Sequence, residues 1–114
     1  MKLMKQGDFS GAETVFLKGL EFDPENPEIL NCLGLACYAQ AKLKQAKIFF
    51  KTAIAADKKF ADAYYNLGDI LYDEGNLNAA MEQYKIAVSV NPAFRHKKRP
   101  FYVGETVDEI RSHN

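Results

Sequence analysis

No apolar run in these 114 residues approaches the ~20 that a membrane-spanning helix requires, and the most apolar stretch, 30–39, is broken by Asn31 and Gly34. A basic segment followed by an apolar core is likewise missing from the N-terminus, so no secretory signal is read and a cytoplasmic location is the expectation. Histidine is confined to His96 and His113, neither with a cysteine or aspartate at metal-ligand spacing, and no metal site is expected. The two cysteines, Cys32 and Cys37, fall five residues apart on one expected helix. That places them roughly 8 Å apart and pointing in different directions, too far for a disulfide. The spacing is not that of a zinc site either, so small apolar filler is the reading. A nucleophile beside a base, a carboxylate pair in a pocket and a glycine-rich phosphate loop are all lacking, so neither catalysis nor a cofactor is expected.

What is present is a repeat. Over 61–94, Leu67, Ile70 and Leu71 recur at helical spacing, Gly75 and Asn76 interrupt, and Ala79, Ala80, Tyr84, Ala87 and Val88 resume the period until Asn91 and Pro92 stop it. An antiparallel helix pair is expected. Shifting the chain by 34 residues aligns Leu67 and Gly68 with Leu33 and Gly34, and Leu77 with Leu43 and Phe9. The same shift aligns Ala80 with Ala46 and Ala12, Tyr84 with Phe50 and Phe16, and Ala87 with Ala53 and Gly19. Gly75 matches Gly7, and Pro92 matches Pro24. A 34-residue unit with Leu-Gly, then Ala-x-x-x-aromatic, then Pro resembles the tetratricopeptide repeat (TPR) family. The chain departs from the family where Leu30 and Tyr64 replace an early Trp, where Cys37 and Leu71 replace a Tyr, and where Lys58 replaces the closing Pro.

The fold class implied is all-α, a right-handed α-α superhelix (TPR solenoid) of antiparallel helix pairs with an irregular C-terminal tail. Residues 1–26 form a partial repeat, 27–60 and 61–94 full ones, and 95–114 a basic linker and tail. Within them helices are expected over 11–22, 27–40 and 43–56, with Pro24 and Pro27 marking the turn into the second pair. A side chain larger than methyl at Gly68 or Ala80 would push the helices of a pair apart.

The formal net charge of zero conceals a pattern: residues 1–26 sum to −2, 27–60 to +4, 61–94 to −4 and 95–114 to +2. Favourable contacts between neighbouring repeats are the simpler explanation, and an acidic partner-binding face beside a basic one is the functional one. Lys44, Lys47 and Lys51 form one stripe. With no interleaved aromatics it reads as a solvated convex face, so nucleic acid is not expected, although an anion- or RNA-binding role for these lysines and the run at 95–99 is the third alternative for function.

The resemblance implies a non-catalytic protein-protein interaction module whose first helices line a concave groove for a peptide or partner segment. The face opposite Leu67 and Leu71 carries Asp62, Tyr65, Asn66, Asp69, Tyr72 and Asp73; the earlier copy supplies Glu28, Asn31, Cys32, Leu35, Tyr38 and Ala39. Asn66 can donate to and accept from a peptide backbone. The tyrosines offer amphipathic anchors. The aspartates favour a basic or aromatic ligand. Chaperone-binding members of the family grip a terminal carboxylate with Lys, Arg and Asn; Asn31, Leu35, Tyr65 and Asp69 stand in those places, so an acidic chaperone tail is disfavoured.

The second reading is structural self-assembly. Residues 1–6 match only the last turns of a first helix, which leaves the face of Ala12, Val15, Phe16 and Leu20 partly uncovered by Met1, Leu3 and Met4. The tail carries Phe101, Tyr102 and Val103, then a capping-box start at Thr106 and a short helix presenting Val107 and Ile110. Phe16, Leu20, Phe101, Tyr102, Val107 and Ile110 are therefore the candidate contacts of a homo-oligomer.

Overall fold

The structure, a computed structural model, describes residues 7–96. Five α-helices succeed one another: α1 Phe9–Phe22, α2 Pro27–Ala39, α3 Leu43–Ala56, α4 Ala61–Asp73 and α5 Leu77–Val90, with a 3-10 helix at Pro92–His96. Among the described residues there is no strand. Met1, Leu3, Met4, Phe101, Tyr102, Val103, Val107 and Ile110, with the short helix expected after Thr106, lie outside the described residues.

Helix starts follow from local chemistry. α1 begins two residues ahead of the expected position because Asp8 caps it, its Oδ1 accepting from the Gly11 amide at 2.9 Å. Asn26 does the same for α2, accepting from the Ile29 amide at 3.0 Å, while Pro27 occupies the first turn, where its missing N–H costs nothing. The second helix of each pair ends at Asp23, Asp57 or Asn91, one per 34 residues, and each of these carbonyls accepts from the amide three residues on.

The turn inside each pair imposes a left-handed residue at the same register. Gly7, Ala41 and Gly75 have φ of 82°, 61° and 83°. After α4, the Gly75 amide donates to the Tyr72 carbonyl and the Asn76 amide to that of Leu71, both at 2.9 Å, closing the helix in a Schellman motif. Ala41 and Lys42 repeat those two bonds to Tyr38 and Cys37. An alanine holds the position at a cost in Cβ strain, which sequence alignment of the two glycines alone did not bring out.

Packing joins α2 to α3 and α4 to α5 within pairs, and α1 to α2 and α3 to α4 between them. At Gly68 the nearest neighbour is an aromatic ring: a Cβ there would meet Tyr84, 2.6 Å from Cε1, and one on Gly34 would collide with the Phe50 ring. Ala46, Ala53, Ala80 and Ala87 are fully buried along the same seams. Between pairs, Leu30, Ala53 and Ala63 form one cluster against which Leu20 is half-buried, so this candidate oligomer contact is in part an internal one. Phe16 is half-buried, while its repeat mates Phe50 and Tyr84 are fully so.

Two outcomes are expected from thermal or urea unfolding. Gly68→Leu drives a side chain into Tyr84 and lowers stability by about 1–3 kcal/mol or more; an unchanged midpoint would show the seam to be paired differently. Ala41→Gly removes left-handed strain of about 1–2 kcal/mol, partly offset by the greater freedom of glycine in the unfolded chain, and raises stability by about 0.5–1 kcal/mol; a loss would contradict the strain.

Candidate functional site

The first helices of the two complete pairs, α2 and α4, present one continuous face, tied together by direct bonds. The Asn66 amide donates to Asn31 Oδ1 at 2.9 Å, and the Tyr38 hydroxyl donates to Asp73. These bonds add to a direct contact between α2 and α4, which are also joined through α3.

The structure places the expected groove residues at three depths. Asp62 and Asp73 are exposed, as are Glu28 and Ala39. Leu35, Tyr38, Asn66, Tyr72 and Cys32 are half-buried. Asn31, Tyr65 and Asp69 are 5%, 8% and 8% exposed, which departs from the outward position that helical spacing assigned to them. For Tyr65 the reason is a pair of rings: its centroid lies 5.2 Å from Tyr84 at 48° and 5.3 Å from Phe94 at 46°. Such tilted contacts add about 0.5–1.5 kcal/mol beyond area burial. For Asp69 the reason is the Tyr84 hydroxyl, which donates to its Oδ1 at 2.7 Å. A buried carboxylate requires donors of this kind.

Phe94 is the residue that sequence reasoning passed over. It was the last position of the repeat, aligned with Phe60, and that match was the available signal. The 3-10 helix turns it onto Tyr65, where it is 7% exposed and joins the core of the last pair.

The formal charges on the two helices themselves are of one sign. α2 and α4 carry Glu28, Asp62, Asp69 and Asp73 and not a single Lys or Arg. Cys32, between them, responds to that field: burial raises its thiol pKa first, and the Glu28 and Asp62 carboxylates raise it further. Cys37 lies away from the face, and burial beside Glu13 pushes its thiol up to about 11, so it is a neutral packing group at ordinary pH. The cations sit elsewhere. Lys42 pairs with Glu13 at 3.4 Å and Lys47 with Glu74 at 2.9 Å, each bridging adjacent repeats, while Lys44 and Lys51 are exposed on α3. Among the described residues no three His, Cys, Asp or Glu side chains gather into a metal-binding group, and no helix is long and apolar enough to cross a membrane.

Comparison with known proteins gives two family matches, TPR repeat over residues 2–41 and tetratricopeptide repeat over residues 61–94. A curated relative, BBSome complex member bbs-4 of Caenorhabditis elegans, is 26% identical over 85 residues, 75% of this chain and 18% of that protein. The first TPR of Spaghetti (RPAP3), bound to the HSP90 peptide SRMEEVD, superposes with a TM-score of 0.77 at 25% identity, covering 80% of this chain and 74% of that one. The first TPR domain of human RPAP3 gives 0.79 at 22% identity over 97% and 83%, a likeness of fold. The chain spans between 15% and 26% of the length of the curated relatives it matches.

The Tyr84–Asp69 bond has a built-in control, because 34 residues earlier the same two positions hold Phe50 and Leu35, an apolar pair packed in one cluster. Tyr84→Phe removes a donor from a buried carboxylate and is expected to cost about 1–3 kcal/mol. Combining it with Asp69→Leu recreates the pair of the preceding repeat and should cost less than the two single changes added together. Urea unfolding of the three variants checks this; simple additivity would mean that the hydroxyl and the carboxylate are not coupled.

Proposed function

The chain belongs to the tetratricopeptide repeat family, and on that premise we propose that it is a non-catalytic interaction module of the cytoplasm whose α2 and α4 face holds a basic or aromatic segment of a partner protein. The observation that supports this is the charge of the face: four carboxylates and no cation, interspersed with half-buried Leu35, Tyr38 and Tyr72. Asp62 and Asp73 would draw in and orient cations, Tyr38, Leu35 and Tyr72 would supply apolar contact, and Asn66 would meet peptide backbone. Asn31, Tyr65 and Asp69 would form the floor, setting the position of the exposed groups more than touching the ligand.

The Spaghetti (RPAP3) domain binds a peptide, SRMEEVD, with three acidic side chains and one basic. In this chain a peptide of that charge would approach like charge, with Asn31, Leu35, Tyr65 and Asp69 in the places that the family's chaperone binders fill with Lys, Arg and Asn. On this reading the groove is used as in that domain, with the charge of the ligand reversed.

Fluorescence anisotropy with a lysine- and tyrosine-rich peptide and with SRMEEVD tests the reading. The basic peptide is expected to bind at least about tenfold more tightly, a difference of ~1.4 kcal/mol, and to weaken as salt rises. Asp62→Lys with Asp73→Lys should abolish the preference. Equal binding of the acidic peptide, or indifference to those substitutions, would remove the groove assignment.

A further inference from the structure

A pocket of about 120 Å³ lies between the turn after α1 and the end of α3, lined by Pro24, Glu25, Leu30, Thr52, Ala55 and Ala56. Leu30 is buried and forms its floor, while the other five are exposed, so the pocket opens to solvent. The next repeat shows what such a place accommodates. There Tyr64 stands in the position of Leu30, and its hydroxyl donates at 2.9 Å to the carbonyl of Lys58, the counterpart of Pro24. The Tyr64 ring thus reaches across to the turn, where the shorter Leu30 stops. Ile86 and Val90 also stand where the pocket has the smaller Thr52 and Ala56. Space that one repeat gives to its own aromatic ring is space that a ring from outside can fill.

Such a ring is close by. Phe22, the last residue of α1, is 90% exposed, more than any other large apolar side chain among the described residues. It is two residues from Pro24, at most ~7 Å along the chain, yet it is not part of the pocket wall. Ring and pocket therefore lie side by side on one surface, and neither satisfies the other within the molecule. That arrangement is self-complementary, because about a twofold axis each copy's Phe22 can enter the other's pocket.

Charge favours a second copy as the source of the ring. Phe22 is flanked by exposed Glu21, Asp23 and Glu25, whereas the α3 side of the pocket carries exposed Lys51, Lys58 and Lys59. The end of an incoming α1 thus brings carboxylates to cations, twice over in a symmetric pair. A ring carried on a basic segment would instead meet those lysines as like charge. We propose that two copies of this chain associate through an isologous contact in which Phe22 of each fills the pocket over Leu30 of the other. The surface differs from the oligomer contacts expected from the sequence, since neither Phe16 nor Leu20 lines the pocket, and none of the groove residues does.

Sedimentation velocity of the full chain over a range of concentrations tests this. A reversible monomer–dimer equilibrium is expected, weakening as salt rises. Phe22→Ser removes both rings and should raise the dissociation constant about a hundredfold, tenfold for each ring. Ala55→Glu, at an exposed position that leaves the core untouched, puts a charge in the pocket and should have a similar effect. So should Leu30→Tyr, which supplies the ring from within. Mixing the Phe22→Ser and Ala55→Glu chains restores one ring in one pocket, and the mixture should associate more tightly than either variant does with itself. A chain that is monomeric at every concentration overturns the proposal, as does a dimer that is indifferent to salt or that survives Phe22→Ser. A dimer lost with Phe22→Ser but kept in both pocket variants overturns it too, and so does a mixture no tighter than its components, because ring and pocket would then not be each other's partner.

Discussion

An aromatic ring laid across a glycine is the contact on which this molecule depends. Phe50 covers Gly34 and Tyr84 covers Gly68, and in both places even a methyl group would collide with the ring. The ring can lie so close only because the facing helix offers bare backbone, and each fully buried ring contributes ~1.5–3 kcal/mol by burial alone. Ala46 is buried in one cluster with Phe50, and Ala80 and Ala87 with Tyr84, where close axes leave room for nothing larger, whereas Ala53 is packed with Ala63 of the next pair. The glycine is therefore not a break in the helix but the place where the helix pair is clamped.

In the last pair the same ring reaches through to the α2 and α4 face. Phe50 ends in an apolar cluster, but Tyr84 carries a hydroxyl that bonds to Asp69, and its ring supports Tyr65, which in turn carries Phe94. One side chain thus belongs to the pair seam and to the floor of the proposed groove. A substitution at Tyr84 would therefore be felt at the face without any contact to ligand, through Asp69 and Tyr65. Asn31, by contrast, is fixed from the side, by the amide of Asn66 in the next repeat.

Much of the fold was legible because it repeats: a 34-residue shift that superposes Leu-Gly, Ala, an aromatic and a small residue leaves one geometry open. The helix ends were legible where a residue type forces them, as at Asn26 and Pro27, and less so at Asp8, whose capping role starts α1 earlier than apolar periodicity indicates. Ala41 was illegible, since alanine is a poor left-handed residue and only the turn shows it in that conformation. At the proposed site, helical phase groups residues along one face, yet it has no depth. It assigned Tyr65 and Asp69 outward because nothing in α4 covers them; what buries them comes from α5 and from the 3-10 helix beyond it. Phase within one helix cannot report a neighbour's side chain.

Charge placement is the last link between repeat and function. Lys42 and Lys47 are paired with Glu13 and Glu74 across repeat boundaries, and exposed or partly exposed pairs of this kind contribute only ~0–1 kcal/mol. Their larger effect is on where charge remains. Glu13 accepts from Lys42, from Gln40 and from the Cys37 thiol, so it is matched on the side of α1 and contributes little to the distant face. Neither α2 nor α4 carries a Lys or Arg of its own, and of the α3 lysines Lys47 reaches the C-terminal end of α4 at Glu74. Among the described residues, α2 and α4 thus carry charge of one sign, and at a Debye length of ~8 Å its influence stays local at physiological ionic strength. The same repeat thus pairs some charges where it stacks and keeps others of one sign on its first helices, which is the basis of the partner preference proposed above.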